Sequence, residues 1–420
     1  MPDWNSLIDQ EFSAERSLLL RYHRVFDKLD LQIAINREDA VAASIAEGAR
    51  ISKLAEYKGV EILLCDESSL MATGTYKDLD ACLVTAVAHH AGLDSVVLSS
   101  GGNLGYALSV YGRRHNLNVY FFHPKSTLFK LDAANINVPG IKLISVDLPE
   151  RQVKALSLAF STKFALPLVP DIRWRLAASA VRAMFVLEHA GTDTGVDCIA
   201  QAMCAGYGPT GVYNCFSELS REGLLRRRAV PRFIGFQQEG NSPMVRAFSN
   251  GEREISAEHV HPEPKKYLEP GLYNTNPERN YTRLFDLMRY FGGDMLSIRD
   301  EDYERYIAQL LGWFRAKGLE FTTLPGTDQI MEKTGLLTGI GILRAIDEGR
   351  IRPQERVLYL MTGGFRKLPK TFTQAVPDVQ VDESKSIDAW VTELGASFGL
   401  KPPAYTRRTD KLFKKDDRTT

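Results

Sequence analysis

The sequence has no uncharged apolar run near the ~20 residues that a membrane-spanning helix needs. Its first residues, MPDWNSLIDQEF, carry no basic stretch leading into an apolar one. Neither export nor membrane insertion is expected. Cysteine is scarce and scattered: Cys65, Cys82, Cys198, Cys204 and Cys215 include no Cys-x-x-Cys pair. That indicates neither a disulfide framework nor a zinc site, so no metal is expected and a reducing cytoplasm is the expected compartment. An excess of one charge is missing too, because 52 Lys and Arg balance 52 Asp and Glu. A neutral chain offers no global field to nucleic acid or to an anionic membrane, which leaves a small molecule as the expected partner. Internal repeats and heptads are absent as well.

What is present is an ordinary globular composition, 44% apolar and 25% charged, in a chain of 420 residues. That length suggests two or three lobes, since single cores stop growing near ~250–300 residues. Short apolar runs alternate with helical patterns, the signature of α/β architecture with parallel strands. Strands are expected at Glu61–Cys65, Ser95–Leu98, Val119–Phe122, Lys142–Val146, Cys198–Met203, Phe233–Gln237 and Val357–Met361. The segment 251–280, rich in Pro, Asn and charge, reads as a long surface excursion. The end of the chain, with its run RRTDKLFKKDDRTT, reads as a solvated arm.

Three strand-to-helix loops and one lysine carry the chemistry. In SSLMATGTYKDLDACLVTA, Lys77 opens a helix whose first turn holds Asp78 and Asp80. A helix N-terminus in a dry cleft lowers an ammonium pKa, and the carboxylates pull the other way. After DSVVLSS comes GGNLGYALSVYGRR, and after DCIAQAMC comes AGYGPTGVYNCFSEL; both are glycine turns that open helices and can receive an anion on free amides. The second has neither the Lys-Ser/Thr of a Walker loop nor a dinucleotide fingerprint. The last apolar strand ends in Thr362, Gly363 and Gly364, where open α/β sheets bind ligands. Together these features suggest a phosphate-bearing cofactor that reacts with an amine.

The segments TGTYKDLDA, SSGGNLGYA, AGYGPTG and LMTGG, in that order, resemble those of the fold-type-II pyridoxal-phosphate enzymes, the tryptophan synthase β-like group, and within it the threonine synthase and cysteate synthase branch. The likeness spans roughly residues 45–368. It implies two open parallel-sheet domains with helices on both faces and pyridoxal 5'-phosphate in the cleft between them. The expected organisation is a helical extension over 1–45, a large domain over 46–83 and 165–369, a smaller inserted domain over 84–164, and a C-terminal arm over 370–420. Lys77 would hold the cofactor as an internal aldimine and then remove the α-proton. Asn103 would bond the phenolic oxygen, and Thr362 would face the pyridine nitrogen. Gly206, Tyr207, Gly208, Thr210 and Gly211 would hold the phosphate. Ser99, Ser100, Gly101 and Gly102 would take the substrate carboxylate, with Gln237, Asn241 and Ser242 as polar lining.

Departures from the family pattern are Leu104 where a Thr usually follows the loop Asn, Met71-Ala72 in place of Asn-Pro, and Pro209 inside the phosphate loop. The implied activity is β-elimination or β-replacement on an O-activated serine, through an aminoacrylate, by a small nucleophile. Arg173, Arg175 and Arg366 are the candidate cations for a phosphate leaving group. Threonine synthase chemistry on phosphohomoserine, or a dehydratase, is the alternative; a cofactor-retaining regulatory homologue is the non-enzyme one. The relatives are typically homodimers.

Overall fold

The protein is described from a computed structural model that covers residues 4–29, 31, 33–190, 195–260, 267–274 and 277–403. The basic run at the end of the chain lies outside the described residues. Among the described residues the strands are β1 (Arg50–Tyr57), β2 (Val60–Asp66), β3 (Ser95–Ser99), β4 (Asn118–Pro124), β5 (Ile141–Val146), β6 (Leu168–Val169), β7 (Cys198–Ala202), β8 (Arg232–Gln238), β9 (Gly293–Ile298), β10 (Arg356–Met361) and β11 (Val379–Val381). All seven expected strands are there.

The chain divides into two compact units. The first comprises Met1–Leu29, Ala46–Tyr76 and Arg175–Lys367, and the second comprises Asp30–Ile45, Lys77–Trp174 and Leu368–Thr420. The crossings therefore fall at Tyr76 and Trp174 where the sequence suggested 83 and 164, and the residues after Lys367 join the second unit.

In the first unit the sheet order is β1-β2-β10-β7-β8-β9. β10 lies parallel to β2 and β7, and β8 lies parallel to β7 and β9. Strands buried on both faces read as continuous apolar runs, and CIAQA of β7 is buried throughout. β1 departs from the all-parallel expectation: it pairs antiparallel with β2 and alternates exposed and covered positions, as a solvated edge does. The helix Thr334–Asp347, TGLLTGIGILRAID, is buried along most of its length because small residues alternate with Leu and Ile. It supplies Leu336, Leu337, Ile340 and Leu343 to a core that includes Ile234, Phe236, Phe314 and Tyr359. The excursion 251–280 is tied down at Glu269, whose backbone N–H and C=O both bond the side chain of Gln238.

The second unit has a parallel sheet ordered β11-β5-β4-β3-β6. Its outer strand β11 and the helix Ile387–Ser397 come from the segment expected to be an arm. That helix puts Trp390, Val391 and Leu394 at i, i+1 and i+4 into a core with Val97, Phe122, Ile144, Leu156 and Phe160. None of the helices among the described residues is long and apolar enough to cross a membrane.

Candidate active site

The lysine segment is placed by the C-terminal ends of β2 and β10, whose register pairs Asp66 with Met361. Beyond β2 the chain turns back: Asp66 accepts from the amides of Ser68 (3.1 Å) and Ser69 (2.8 Å), and Ser68 Oγ accepts from Phe365 N at 3.0 Å. Thr75 bridges Gly363, and Tyr76 N donates to Thr362 O at 3.0 Å. These bonds, all within the first unit, fix the residue before Lys77 onto the end of the last parallel strand. Strand C-termini are where open α/β sheets bind ligands. The Thr362 side chain is buried and makes no side-chain hydrogen bond among the described residues, so its hydroxyl is available to a ligand.

Lys77 begins the helix Lys77–Ala91 of the second unit. Its Nζ donates to Asp80 Oδ2 at 2.8 Å, with side-chain exposures of 17% and 3%. A shielded pair of this length, one helical turn apart, orients the amine. The helix packs against a second one, Asn103–Arg114, which follows the first glycine loop.

That loop is held from below by a histidine that the sequence reading did not single out. His123 is fully buried on β4; its Nδ1 lies 3.0 Å from Ser100 O and its Nε2 lies 3.2 Å from Thr127 Oγ1. A carbonyl can only accept, so Nδ1 carries the proton. Burial lowers the His123 pKa to about 4, against the bonds to Thr127 and Ser100 that favour the charged form. The ring is therefore neutral near pH 7. Thr127 Oγ1, with one proton to give, stands within reach of both His123 Nε2 and Gly101 O, the latter at 3.0 Å. Within the loop Ser100 Oγ accepts from Gly102 N (3.3 Å) and Gly105 N (3.2 Å), while Ser100 N bonds Phe122 O. A Cβ added at Gly101 or Gly102 would meet nothing within 4 Å, so this loop has an open face. Asn103 sits half-buried at the start of its helix.

The second glycine loop, in the first unit, is close-packed instead. Gly206 takes φ 72° as the cap of the helix Tyr207–Arg221, a conformation that disfavours any side chain. At Gly208 an added Cβ would come within 2.8 Å of Arg182 Nη1 and 3.0 Å of Gln201 Nε2. The amides of Tyr207 and Gly208 belong to the first helical turn, where no carbonyl of the helix can receive them. Thr210 is committed elsewhere: its N and Oγ1 both donate to Gly206 O, at 3.0 and 2.8 Å, and Oγ1 accepts from Asn280 Nδ2 at 3.1 Å. Gly211 serves a close approach to Leu176 O. Gln237 spends its amide on the backbone, with Nε2 on Cys204 O and Oε1 receiving Met244 N and Val245 N. Asn241 is bonded to the backbone of Asn274.

Beneath the loop lies the most buried charge pair among the described residues of the first unit. Arg182 Nε and Nη2 each donate to Glu67 at 2.6 Å, and Nη2 also reaches Gln201 Oε1 at 3.0 Å. Both side chains are 1% exposed. Burial works against the guanidinium charge, but Glu67 outweighs it and the Arg182 pKa is raised. The Arg182 Cζ stands 4.7 Å from the Tyr76 ring centroid, so the residue before Lys77 covers one face of the guanidinium. Of the three arginines expected to assist a leaving group, Arg173 is tied to Asp171 and Arg175 stacks 4.5 Å from the Tyr207 ring. Arg366 follows β10. An open depression of about 880 Å³ elsewhere on the first unit is lined by Arg226, Arg227, Arg228 and Arg289, none of which belongs to these loops.

The structure thus holds a close-packed glycine turn at a helix start, a shielded lysine at another and a buried threonine at a strand end. The sequence pattern described as "Pyridoxal-phosphate dependent enzyme" matches residues 49–318. The chain belongs to that family. It is a fold-type-II enzyme, and its cofactor is pyridoxal phosphate. Lys77 and both glycine loops fall within the matched span, and Thr362 lies beyond it. The residues fit the group: the cradle at Gly206–Gly208 is one that side chains would fill, and Lys77 Nζ is a primary amine oriented by its bond to Asp80.

The chain is 24% identical over 341 residues to a threonine synthase of Methanosarcina acetivorans, covering 81% of this chain and 79% of the relative. It is 25% identical over 332 residues to a cysteate synthase of Methanosarcina barkeri, covering 76% and 78%. Among solved structures it resembles threonine synthase from Escherichia coli, with a TM-score of 0.61 and 17% identity over 86% of this chain and 83% of that one. That structural likeness speaks to the fold alone.

Proposed function

We propose that the enzyme eliminates phosphate from a small phosphorylated amino acid and adds a nucleophile, as a threonine synthase does with phosphohomoserine and water. The observation that carries this reading is the likeness to a threonine synthase along four fifths of the chain, with an amine held at Lys77 where the family pattern calls for one. It moves forward the reading that the sequence had put second. The likeness to cysteate synthases supports the other, replacement on O-phosphoserine by a nucleophile such as sulfite.

The bound cofactor supplies the electron sink that acidifies the substrate α-carbon. Lys77 Nζ would hold the cofactor and would be the base that accepts the α-proton, with Asp80 Oδ2 placed to accept its hydrogen bond. Thr362 would offer the pyridine nitrogen a neutral hydroxyl, which would temper the sink and favour elimination over transamination. The Ser99–Gly102 turn, open on one face and steadied by His123, is the seat for the substrate carboxylate.

The holoenzyme is to be incubated separately with O-phospho-L-homoserine, with O-phospho-L-serine plus sulfite, and with L-threonine, following phosphate release and products. Threonine and phosphate from phosphohomoserine are the expected result. Turnover of phosphoserine alone, giving cysteate, would replace this reading with the second, and turnover of threonine alone would make the protein a dehydratase. No turnover of any of them would overturn the substrate class.

A further inference from the structure

The phosphate loop is short of donors. Glycine loops of this kind hold an anion with successive amides at a helix N-terminus. Here Pro209 has no N–H, and Thr210 has turned both its N–H and its hydroxyl back to Gly206 O. Only the turn ahead of Pro209 is left to receive a dianion. Directly under that turn is a guanidinium with one nitrogen unused: Arg182 Nη1 is buried and has no hydrogen-bond partner among the described residues. It is the heavy atom nearest to where a Gly208 side chain would stand, at 2.8 Å. Its two sister nitrogens are saturated by Glu67 and Gln201, so the guanidinium cannot swing away without breaking a buried fork. A buried donor left unmade is costly, and an arrangement that fixes it in place implies an acceptor that arrives with the ligand.

We propose that Arg182 is an anion-holding residue of this site, its Nη1 supplying the cofactor's phosphate with the charge-assisted hydrogen bond that Pro209 and Thr210 withhold. The inference rests on the glycine loop being the phosphate seat. Geometry gives Arg182 a second part in the same act. Glu67 lies in the turn after β2, Tyr76 precedes Lys77, and Gln201 lies on the strand that feeds the loop. One side chain thereby joins the lysine segment to the phosphate loop through contacts within the first unit. Glu67 does not cancel the effect, because its carboxylate sits on the opposite edge of the guanidinium from Nη1 and leaves that end of the ion pair positive. The sequence carried a signal for this residue: an arginine in the apolar stretch AVRAMFVL, a position that a solvated charge would avoid.

The test compares pyridoxal 5'-phosphate with pyridoxal, which lacks the phosphate, on cofactor-free wild type, Arg182→Met and Arg182→Lys. Binding is read from tryptophan fluorescence and the visible band, inorganic phosphate serves as competitor, and thermal unfolding of each apoprotein checks the fold. Arg182→Met is expected to weaken pyridoxal phosphate about 10- to 100-fold, the range for one charge-assisted hydrogen bond, and to leave pyridoxal within about threefold. Competition by inorganic phosphate should fade with it. Arg182→Lys keeps a charge without the fork and should fall between; if the methionine variant does not fold, the lysine variant decides by the same ratio. Equal weakening of both compounds, or unchanged pyridoxal phosphate affinity in a folded variant, overturns the proposal. A wild type that takes up neither compound overturns the cofactor seat itself and the proposal with it, an outcome distinct from a variant that binds as well as wild type.

Discussion

The two glycine loops look alike in sequence and are built on opposite principles. The loop of the second unit, Ser99–Gly105, has an open face at Gly101 and Gly102 and is steadied by a neutral imidazole. The loop of the first unit, Gly206–Gly211, is packed from below by a guanidinium, itself paired with a carboxylate, and by the Gln201 amide. An open, neutrally supported turn suits a ligand that enters and leaves with each turnover. A close-packed turn with a fixed charge beneath it suits a group that stays. The loops thus differ in what lies under each more than in themselves, which is the difference that the proposed substrate seat and the proposed cofactor seat require.

Removing the support of the close-packed loop should have the larger effect. Glu67→Ala leaves Arg182 buried without its carboxylate, which is expected to cost about 3–5 kcal/mol of stability. Urea unfolding of the apoprotein reads this, and a loss under about 1 kcal/mol would mean that the pair is solvated in practice.

The open loop should respond to acid instead. His123 has a folded pKa near 4 against an unfolded value near 6.5. Between those limits the unfolded chain binds the proton and the folded chain does not. The stability this ring allows is therefore complete above about pH 6.5 and declines as pH falls toward 4, by about 3 kcal/mol in all. In His123→Asn the difference in unfolding free energy between pH 7 and pH 4 should shrink by that amount. An unchanged difference would mean that the ring is charged or solvent-accessible in the folded state. The smallest effect is expected at Thr362→Val, which keeps the backbone bond to Tyr76 N and loses only the hydroxyl. Turnover should fall by about tenfold or less, the worth of one neutral hydrogen bond, with the melting temperature unmoved.

Much of this was readable beforehand. Periodic apolar runs located seven strands because parallel strands are buried on both faces, and Lys77, Asn103 and the glycine turns were singled out as candidates by residue type and order. What escaped has physical reasons. β6 is two residues long and β11 three, below the length at which alternation registers. The helix Ile387–Ser397 does carry an apolar stripe, but its partner is the distant helix Glu150–Phe164, so the segment read as an arm. Arg182 and Glu67 meet across 115 positions, which no local spacing reveals. Thr210 and Gln237 have the chemistry of ligand-binding residues yet are spent on backbone groups. Residue type says what a side chain can bond, and only packing says what it does bond.

The account stands on Lys77 as the residue that carries pyridoxal phosphate. Borohydride reduction of the yellow holoprotein, followed by proteolysis and peptide mass spectrometry, locates the attachment directly. The account predicts loss of the visible band and a single pyridoxyl-modified peptide containing Lys77, absent from Lys77→Ala. Modification of a different lysine, or no modification of a protein that has bound the cofactor, would contradict it.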